Sequence, residues 1–183
     1  MVRTRVALAG ILACGWLGGS GLAWSPSVHA EDTPVRGEIA VRHVEWFEPA
    51  HGIAFRALRA ADEGKTQDVL TIGLGEVVTD VDSVRASLRD EGYWRGAPGQ
   101  ARLLIECTPA GKPTWMMIDH GLGLTEVDLE KVDLELTITA DRVRGQVRSK
   151  RGHEFPVTAD YRIDLAFDLD WVDLRPVRAP QPR

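Results

Sequence analysis

The C-terminal stretch FPVTADYRIDLAFDLDW, residues 155–171, decides the fold, because an apolar side chain occupies every second position from Phe155 to Trp171. Strict alternation is typical of a β-strand with one face on a core and the other in water. A single strand of this length would span about 55 Å at about 3.3 Å per residue, which is too long for a domain of this size. We therefore predict a break or bulge near residues 156–160 and one strong strand over Tyr161–Trp171.

Two segments before this stretch repeat the alternation. Val132–Ile138 alternates apolar residues with Asp, Glu and Thr, and Val143–Val147 alternates them with Arg and Gln. Residues 140–141 and 149–152 are typical of tight turns. We therefore predict a C-terminal meander of three antiparallel strands. Its predicted core residues are Leu134, Leu136, Ile138, Val143, Tyr161, Ile163, Leu165, Phe167 and Leu169.

The polar positions of the meander predict cross-strand ion pairs on its outer face. Asp164 and Asp168 point away from the core and are expected to face Arg144 and Arg148 of the preceding strand. Such pairs contribute only about 0.2–1 kcal/mol each, so they mark the wet face rather than hold the fold together.

The first half of the chain is less regular but also rich in strands. Gly37–Trp46 and Gly52–Ala60 are predicted as partner strands, Thr66–Leu74 as a third, and Ala101–Cys107 with Thr114–Asp119 as a hairpin. The fold class is therefore all-β, or β-rich with one short helix. The predicted architecture is an antiparallel β-sandwich that ends in the three-strand meander.

One helix is predicted between the third strand and the hairpin. Asp80 or Asp82 can cap its N-terminus, Val84 and Leu88 give it an apolar side, and Gly92 ends it.

The N-terminal segment, residues 1–30, has the features of an export signal. Arg3 and Arg5 form a basic start, Val6–Leu12 is a short apolar core, and Val28–Ala30 is a small-residue cleavage site. Cleavage after Ala30 would place the protein in the periplasm or outside the cell. This layout is typical of exported bacterial all-β proteins and assigns a function to no residue.

A lipid anchor is the alternative for the N-terminus, because Ile11–Cys14 loosely fits the pattern that precedes a lipidated cysteine. In that case Cys14 would anchor a membrane-bound lipoprotein. The apolar run is well below the roughly 20 residues that span a bilayer, so no integral membrane segment is predicted after cleavage. The predicted domains are the signal peptide at 1–30, a single β-sandwich domain at 31–174 and a disordered tail at 175–183.

Composition excludes some partners. Residues 31–183 keep 20 of the 22 basic residues and all 27 acidic residues, which gives a formal charge of −7. An acidic chain disfavours nucleic acid and anionic membranes and leaves room for a cation or a basic partner. Cleavage after Ala30 would leave Cys107 as the only cysteine, so no internal disulfide is predicted, and Cys107 is expected to be a buried, inert thiol.

The loop Tyr93-Trp94-Arg95 is the predicted binding site. It combines two aromatic rings and an arginine within a segment rich in glycine and proline, and such loops recognise peptides, sugars or partner surfaces. The alternative for Trp94 is a plug that covers the end of the sheet. The partner would be a protein, a peptide or a glycan, and no cofactor is predicted.

A metal site at His43, Glu45 and His51 is the competing prediction. Two imidazoles and a carboxylate are ligands that suit zinc or copper, although this spacing matches no compact metal motif. Asp119-His120 is an adjacent acid–histidine pair, and no nucleophile accompanies it.

Three functions therefore stay open from the sequence. The leading one is an exported, non-enzymatic binding or envelope-associated domain that uses its loops or an edge strand. The second is a small metal-binding protein or metal-dependent enzyme. The third is an oligomeric envelope component without a ligand.

Overall fold

One curled, strand-rich sheet with a single helix forms the described part of the chain, in a computed structural model. The structure describes residues 33–44, 46–60, 65–94, 96, 100–153, 155–157 and 159–176. The elements in chain order are β1 (Val35–Val41), β2 (His51–Ala60), β3 (Thr66–Gly75), α1 (Val81–Glu91), β4 (Arg102–Cys107), β5 (Pro113–Asp119), β6 (Leu124–Glu126), a 3-10 turn (Leu129–Lys131), β7 (Val132–Ile138), β8 (Arg142–Ser149) and β9 (Tyr161–Asp173).

Several predicted features lie outside the described residues. These are the signal peptide at 1–30 with Cys14, the residues Glu45 and Arg95, and residues 177–183 of the tail. Arg175, the first residue of the predicted tail, is described and pairs with Asp173 and Asp68. Within the described part of the chain, no helix has the length and apolar character needed to cross a membrane.

The long strand β9 organises the sheet. The strand order is β6-β5-β4-β3-β2-β9-β8-β7, and β1 pairs with β9 off this path. The predicted C-terminal meander is confirmed, because β7 pairs antiparallel with β8 and β8 pairs antiparallel with β9. The predicted strand over Tyr161–Trp171 is also confirmed and continues to Asp173.

The predicted antiparallel β-sandwich is not confirmed. One edge of β9 pairs first with β1, over Tyr161–Phe167, and then with β2, over Trp171–Asp173. The second pairing is parallel, so the sheet is mixed, and it curls into a half-barrel. The physical reason is the length of β9, whose 13 residues are enough to belong to both halves of the sheet.

The predicted pairing of the first two strands is wrong. β1 pairs with β9, β2 pairs with β3 and β9, and only the isolated bridge between Ile39 and Phe47 joins β1 to the segment before β2. β1 also ends at Val41 rather than Trp46. His43 has a φ of 63°, which takes the backbone out of the extended conformation and starts a turn.

The main core lies on the inner face of the curled sheet, where Leu165, Ile163 and Ile105 are almost completely buried. Most of the predicted meander core is confirmed as buried. The exceptions, Leu134, Leu136 and Ile138, are half-buried and pack against this core, because β7 is the last strand of the path and has a strand neighbour on one side only. Cys107 is fully buried as predicted, and burial raises its pKa to about 12, which disfavours the reactive thiolate.

The helix α1 packs against the outer face of β2, as its predicted apolar side requires. Val84 is completely buried in a second cluster with Ile53 and Phe55. Asp80 caps the helix by accepting a hydrogen bond from the Ser83 N–H, at 2.8 Å. Gly92 ends it in the left-handed conformation, so both predicted termini are confirmed.

The ion pairs on the outer face of the meander are also confirmed. Arg144 Nε lies 2.7 Å from an Asp168 oxygen, and Arg148 Nε lies 3.2 Å from an Asp164 oxygen. All four residues are at least one-third exposed, so these pairs decorate the wet face of the sheet.

Candidate functional site at the loop end of the sheet

Several strands begin or end along one row at one end of the sheet. Gly75, the last residue of β3, lies opposite Arg102, the first residue of β4, and Arg102 lies opposite Asp119, the last residue of β5. Asp119 in turn lies opposite Leu124, where β6 begins. We call this row with its flanking described residues, 76–80, 92–94, 96, 100–101 and 120–124, the loop end.

A buried ion pair lies at the centre of the loop end. Arg102 Nη2 donates to Asp119 Oδ2 at 2.7 Å, and the two side chains are 7% and 16% exposed. Alternation along β4 explains the position of Arg102, because its neighbour Leu103 points into the main core and Arg102 must point to the outer face. There Gly96 lies directly on the guanidinium, and a side chain at Gly96 would collide with it.

One buried polar atom of this pair makes no hydrogen bond within the described part of the chain. This atom is Arg102 Nε. Breaking a buried pair by removing one partner is strongly destabilising, because a desolvated charge remains. The pair therefore ties the facing ends of β4 and β5 together.

The turn between β5 and β6 is shaped by Asp119 and His120. The Gly121 N–H donates to Asp119 Oδ1 at 3.3 Å, and the His120 N–H donates to the Gly123 carbonyl at 3.2 Å. Gly121 has a φ of 76°, the conformation that glycine supplies in two-residue hairpin loops. This geometry points Leu122, between the two glycines, out into solvent at 82% exposure.

His120 does not act with Asp119. Its Nε2 lies 3.3 Å from the Thr125 hydroxyl, and its Nδ1 is buried without a partner among the described residues. Asp119 binds Arg102 instead, as expected for adjacent strand residues, which point to opposite sides.

Exposed apolar side chains surround the buried pair. Val77 and Val78 follow β3 and are 49% and 68% exposed, while Leu122 and Leu124 on the β5–β6 turn are 82% and 57% exposed. The strands in the row are about 4.8 Å apart, so β3 and β6 are separated by only about 15 Å. The other large exposed hydrophobic side chains of the described residues, Trp46, Leu58 and Val157, are not part of these segments. We call the side chains of Val77, Val78, Leu122 and Leu124 the apolar rim.

Trp94, from the predicted binding loop, lies beside the loop end. Its ring meets Phe55 edge to face, with centroids 5.6 Å apart and planes at 81°. It also lies over Gly73, where an added Cβ would come within 2.6 Å of the ring. Tyr93 and Trp94 are both half-buried. The packing fits the plug that was the alternative, and the role of Tyr93, Trp94 and Arg95 in binding stays a prediction.

The space enclosed at the loop end is very small. His51, Thr79, Trp94 and Arg102 are among the residues that line a cavity of about 10 Å³. That is about the minimum that holds one water molecule. A small-molecule ligand would not fit inside, so the chemistry of the loop end is that of a surface with an apolar rim and a rigid polar base.

The predicted metal ligands are spread along one segment. His43 is exposed in the turn after β1, and His51 is half-buried as the first residue of β2. Phe47 bridges to Ile39 between them, and His51 lies four residues further, about 13 Å along an extended chain. Among the described residues, no group of three or more His, Cys, Asp or Glu side chains is arranged to hold a metal ion. Glu45 lies outside those residues, so the metal site stays a prediction.

Sequence reasoning missed the loop end as a whole. The isolated valines and leucines of the apolar rim resemble core residues in the sequence. One signal was present, since Arg102 and Asp119 occupy matching ends of the two strands in the predicted hairpin, and opposite charges there suggest a cross-strand pair. No family model, no curated protein and no solved structure matches this chain.

Proposed function

We propose that this protein is an exported, non-enzymatic binding domain that recognises an extended or folded protein partner through the loop end. The observation that carries the proposal is the apolar rim, formed by Val77, Val78, Leu122 and Leu124 around a rigid base. Contiguous exposed apolar surface marks protein–protein contact sites, and these four side chains bring exposed apolar surface to one end of the sheet.

The small enclosed volume favours a protein or peptide surface over a small-molecule substrate. A drug-sized ligand needs a cleft of about 300–1,000 Å³, far more than the 10 Å³ at the loop end. The net charge of the whole chain, −5, argues against nucleic acid. A glycan would need polar groups beside an exposed aromatic face, whereas Trp94 is packed against Phe55.

A peptide display library tests the proposed binding surface. Peptides selected against the immobilised protein should lose binding when Val78 and Leu122 are both changed to Ser. The matched control is Val157→Ser, which removes a side chain that is 75% exposed but belongs to another segment. Selected peptides that bind both variants equally well would contradict the proposal.

Export is tested separately. Mass spectrometry of the protein from the envelope fraction should find Glu31 as the first residue. A lipidated fragment that begins at Cys14 would instead support the membrane-anchored alternative. Elemental analysis tests the competing function. One zinc or copper per chain that is lost in His43→Ala would show that the protein binds a metal, and the proposal of a non-metal binding domain would be wrong.

A further inference from the structure

Among the described strands, β7 has a strand neighbour on one side only. Val132–Ile138 is the last strand of the sheet path and pairs with β8 without a register shift, from Val132 opposite Ser149 to Ile138 opposite Val143. Backbone N–H and C=O groups of a strand point alternately to its two sides. The far side of β7 therefore carries a row of such groups that no strand of the described chain pairs.

Of the devices that usually protect a sheet edge, β7 has exposed charges, those of Asp133 and Glu135. Exposed edges are normally short, bulged, charged, covered by a helix or loop, or interrupted by proline or an inward charge. β7 has seven residues, VDLELTI, with no proline, no lysine and no bulge. Its inward side chains, Leu134, Leu136 and Ile138, are half-buried against the main core. Gly111 in the β4–β5 turn already lies against Ile138, since an added Cβ there would come within 3.0 Å of the Ile138 side chain. The part of these side chains that stays exposed is the apolar surface that a further strand would cover.

The outward side chains of β7 define the charge of a fitting neighbour. Asp133 and Glu135 are exposed and acidic. The neighbour that β7 already has shows the complement, because β8 places Arg148 opposite Asp133 and Val147 opposite Leu134. A strand that fits the free edge would likewise alternate basic residues on the outside with branched apolar residues on the inside.

A second copy of this chain is a poor occupant. If two β7 strands paired antiparallel over their full length, the centre of symmetry would fall at Glu135, so that Glu135 would face its own copy. Like charges directly opposite each other destabilise strand pairing.

We propose that the free edge of β7 accepts, by strand addition, an extended segment of a separate partner protein in which Arg or Lys alternates with Val or Ile. In this mode the backbone hydrogen bonds supply affinity and the alternating side chains supply specificity. The surface lies on a different part of the sheet from the loop end and is independent of the function proposed above.

A peptide with the sequence of Arg142–Ser149, RVRGQVRS, blocked at both ends and fluorescently labelled, is the probe. Titration with the protein should show saturable binding that weakens as salt is added. The double variant Asp133→Lys, Glu135→Lys should bind at least about tenfold more weakly, because it reverses the outward charge of β7. The double variant Asp90→Lys, Glu91→Lys is the control, since it reverses two exposed acids on α1, outside the meander, and should leave binding unchanged.

Three outcomes would overturn the proposal. Equal binding of a peptide with the same composition but without the alternation would show simple charge attraction. Hydrogen exchange that slows at β7 while β8 becomes less protected would show that the peptide replaces β8 instead of adding to the edge. A dimer in sedimentation that the double variant abolishes would show that a second copy occupies the edge. Slower exchange confined to β7 is the supporting result.

Discussion

The buried pair of Arg102 and Asp119 gives the sharpest test of how the loop end is held together. Their contact is 2.7 Å long, and the two side chains are 7% and 16% exposed, so neither charge regains much water if its partner is removed. We expect Asp119→Leu to lower the free energy of unfolding by about 3–5 kcal/mol, because it leaves the more buried guanidinium alone. Arg102→Met should cost less, about 1–3 kcal/mol, since Asp119 keeps the Gly121 N–H and some solvent.

The double variant Arg102→Met, Asp119→Leu decides between coupling and independent contributions. Apolar residues of similar size often replace a buried pair at little cost, so the double variant should lie within about 1 kcal/mol of the wild type. Urea denaturation of all four proteins gives the coupling energy. The exposed pair of Asp82 and Arg85 is the control, because its side chains are 88% and 55% exposed, and Arg85→Ala should cost no more than about 0.5 kcal/mol. Additive losses in the double variant would refute the reasoning.

Three further predictions concern the rest of the fold. Leu165→Ala should lower the free energy of unfolding by about 2–5 kcal/mol, whereas Asp164→Ala on the wet face should change it by no more than about 0.5 kcal/mol. Equal losses in urea denaturation would mean that the two faces of β9 are assigned wrongly. The side-chain hydrogen bond from Arg175 lowers the pKa of Asp173 to about 2, so this carboxylate stabilises the fold above about pH 4 and the contribution is lost as the pH falls towards 2. Arg175→Ala should therefore flatten the dependence of the urea midpoint on pH in that range. Trp94→Ala should lower the free energy of unfolding by about 1–3 kcal/mol, because the edge-to-face packing on Phe55 is lost. An unchanged melting temperature would instead favour a binding role for Trp94 over a packing role.

The faces of the strands could be predicted from the sequence, and their neighbours could not. Alternation from Tyr161 to Leu169 shows which side chains enter the core, because the side-chain period of a strand is two. The same pattern says nothing about which strand lies on each edge. The tight turns linked β7, β8 and β9 correctly, since short connections leave antiparallel pairing as the simple solution. The longer connection between β1 and β2 allowed both strands to pair with β9 instead of with each other.

The helix could be predicted closely because its signals are local. Asp80 accepts the Ser83 N–H, and Gly92 adopts a positive φ, both within one turn of the helix ends. The loop end, in contrast, is formed by residues that are far apart in the chain. Val78 and Leu122 are distant in the chain and come to the same end of the sheet only through the register of β3, β4 and β5. Single residues of this kind carry no periodic signal, so the apolar rim became visible only in the structure.

The buried pair also bears on how the loop end would recognise a partner. A buried ion pair is weak evidence for stability, because apolar replacements are often at least as stable. Its geometric effect is clearer, since Arg102 is covered by Gly96 and Asp119 fixes the turn that carries Leu122. If the double variant Arg102→Met, Asp119→Leu keeps its stability but no longer binds the peptides selected against the wild type, the pair positions the loops for binding. If it keeps both, the apolar rim alone supports recognition, and the pair is only one of several ways to fill the outer face of β4 and β5.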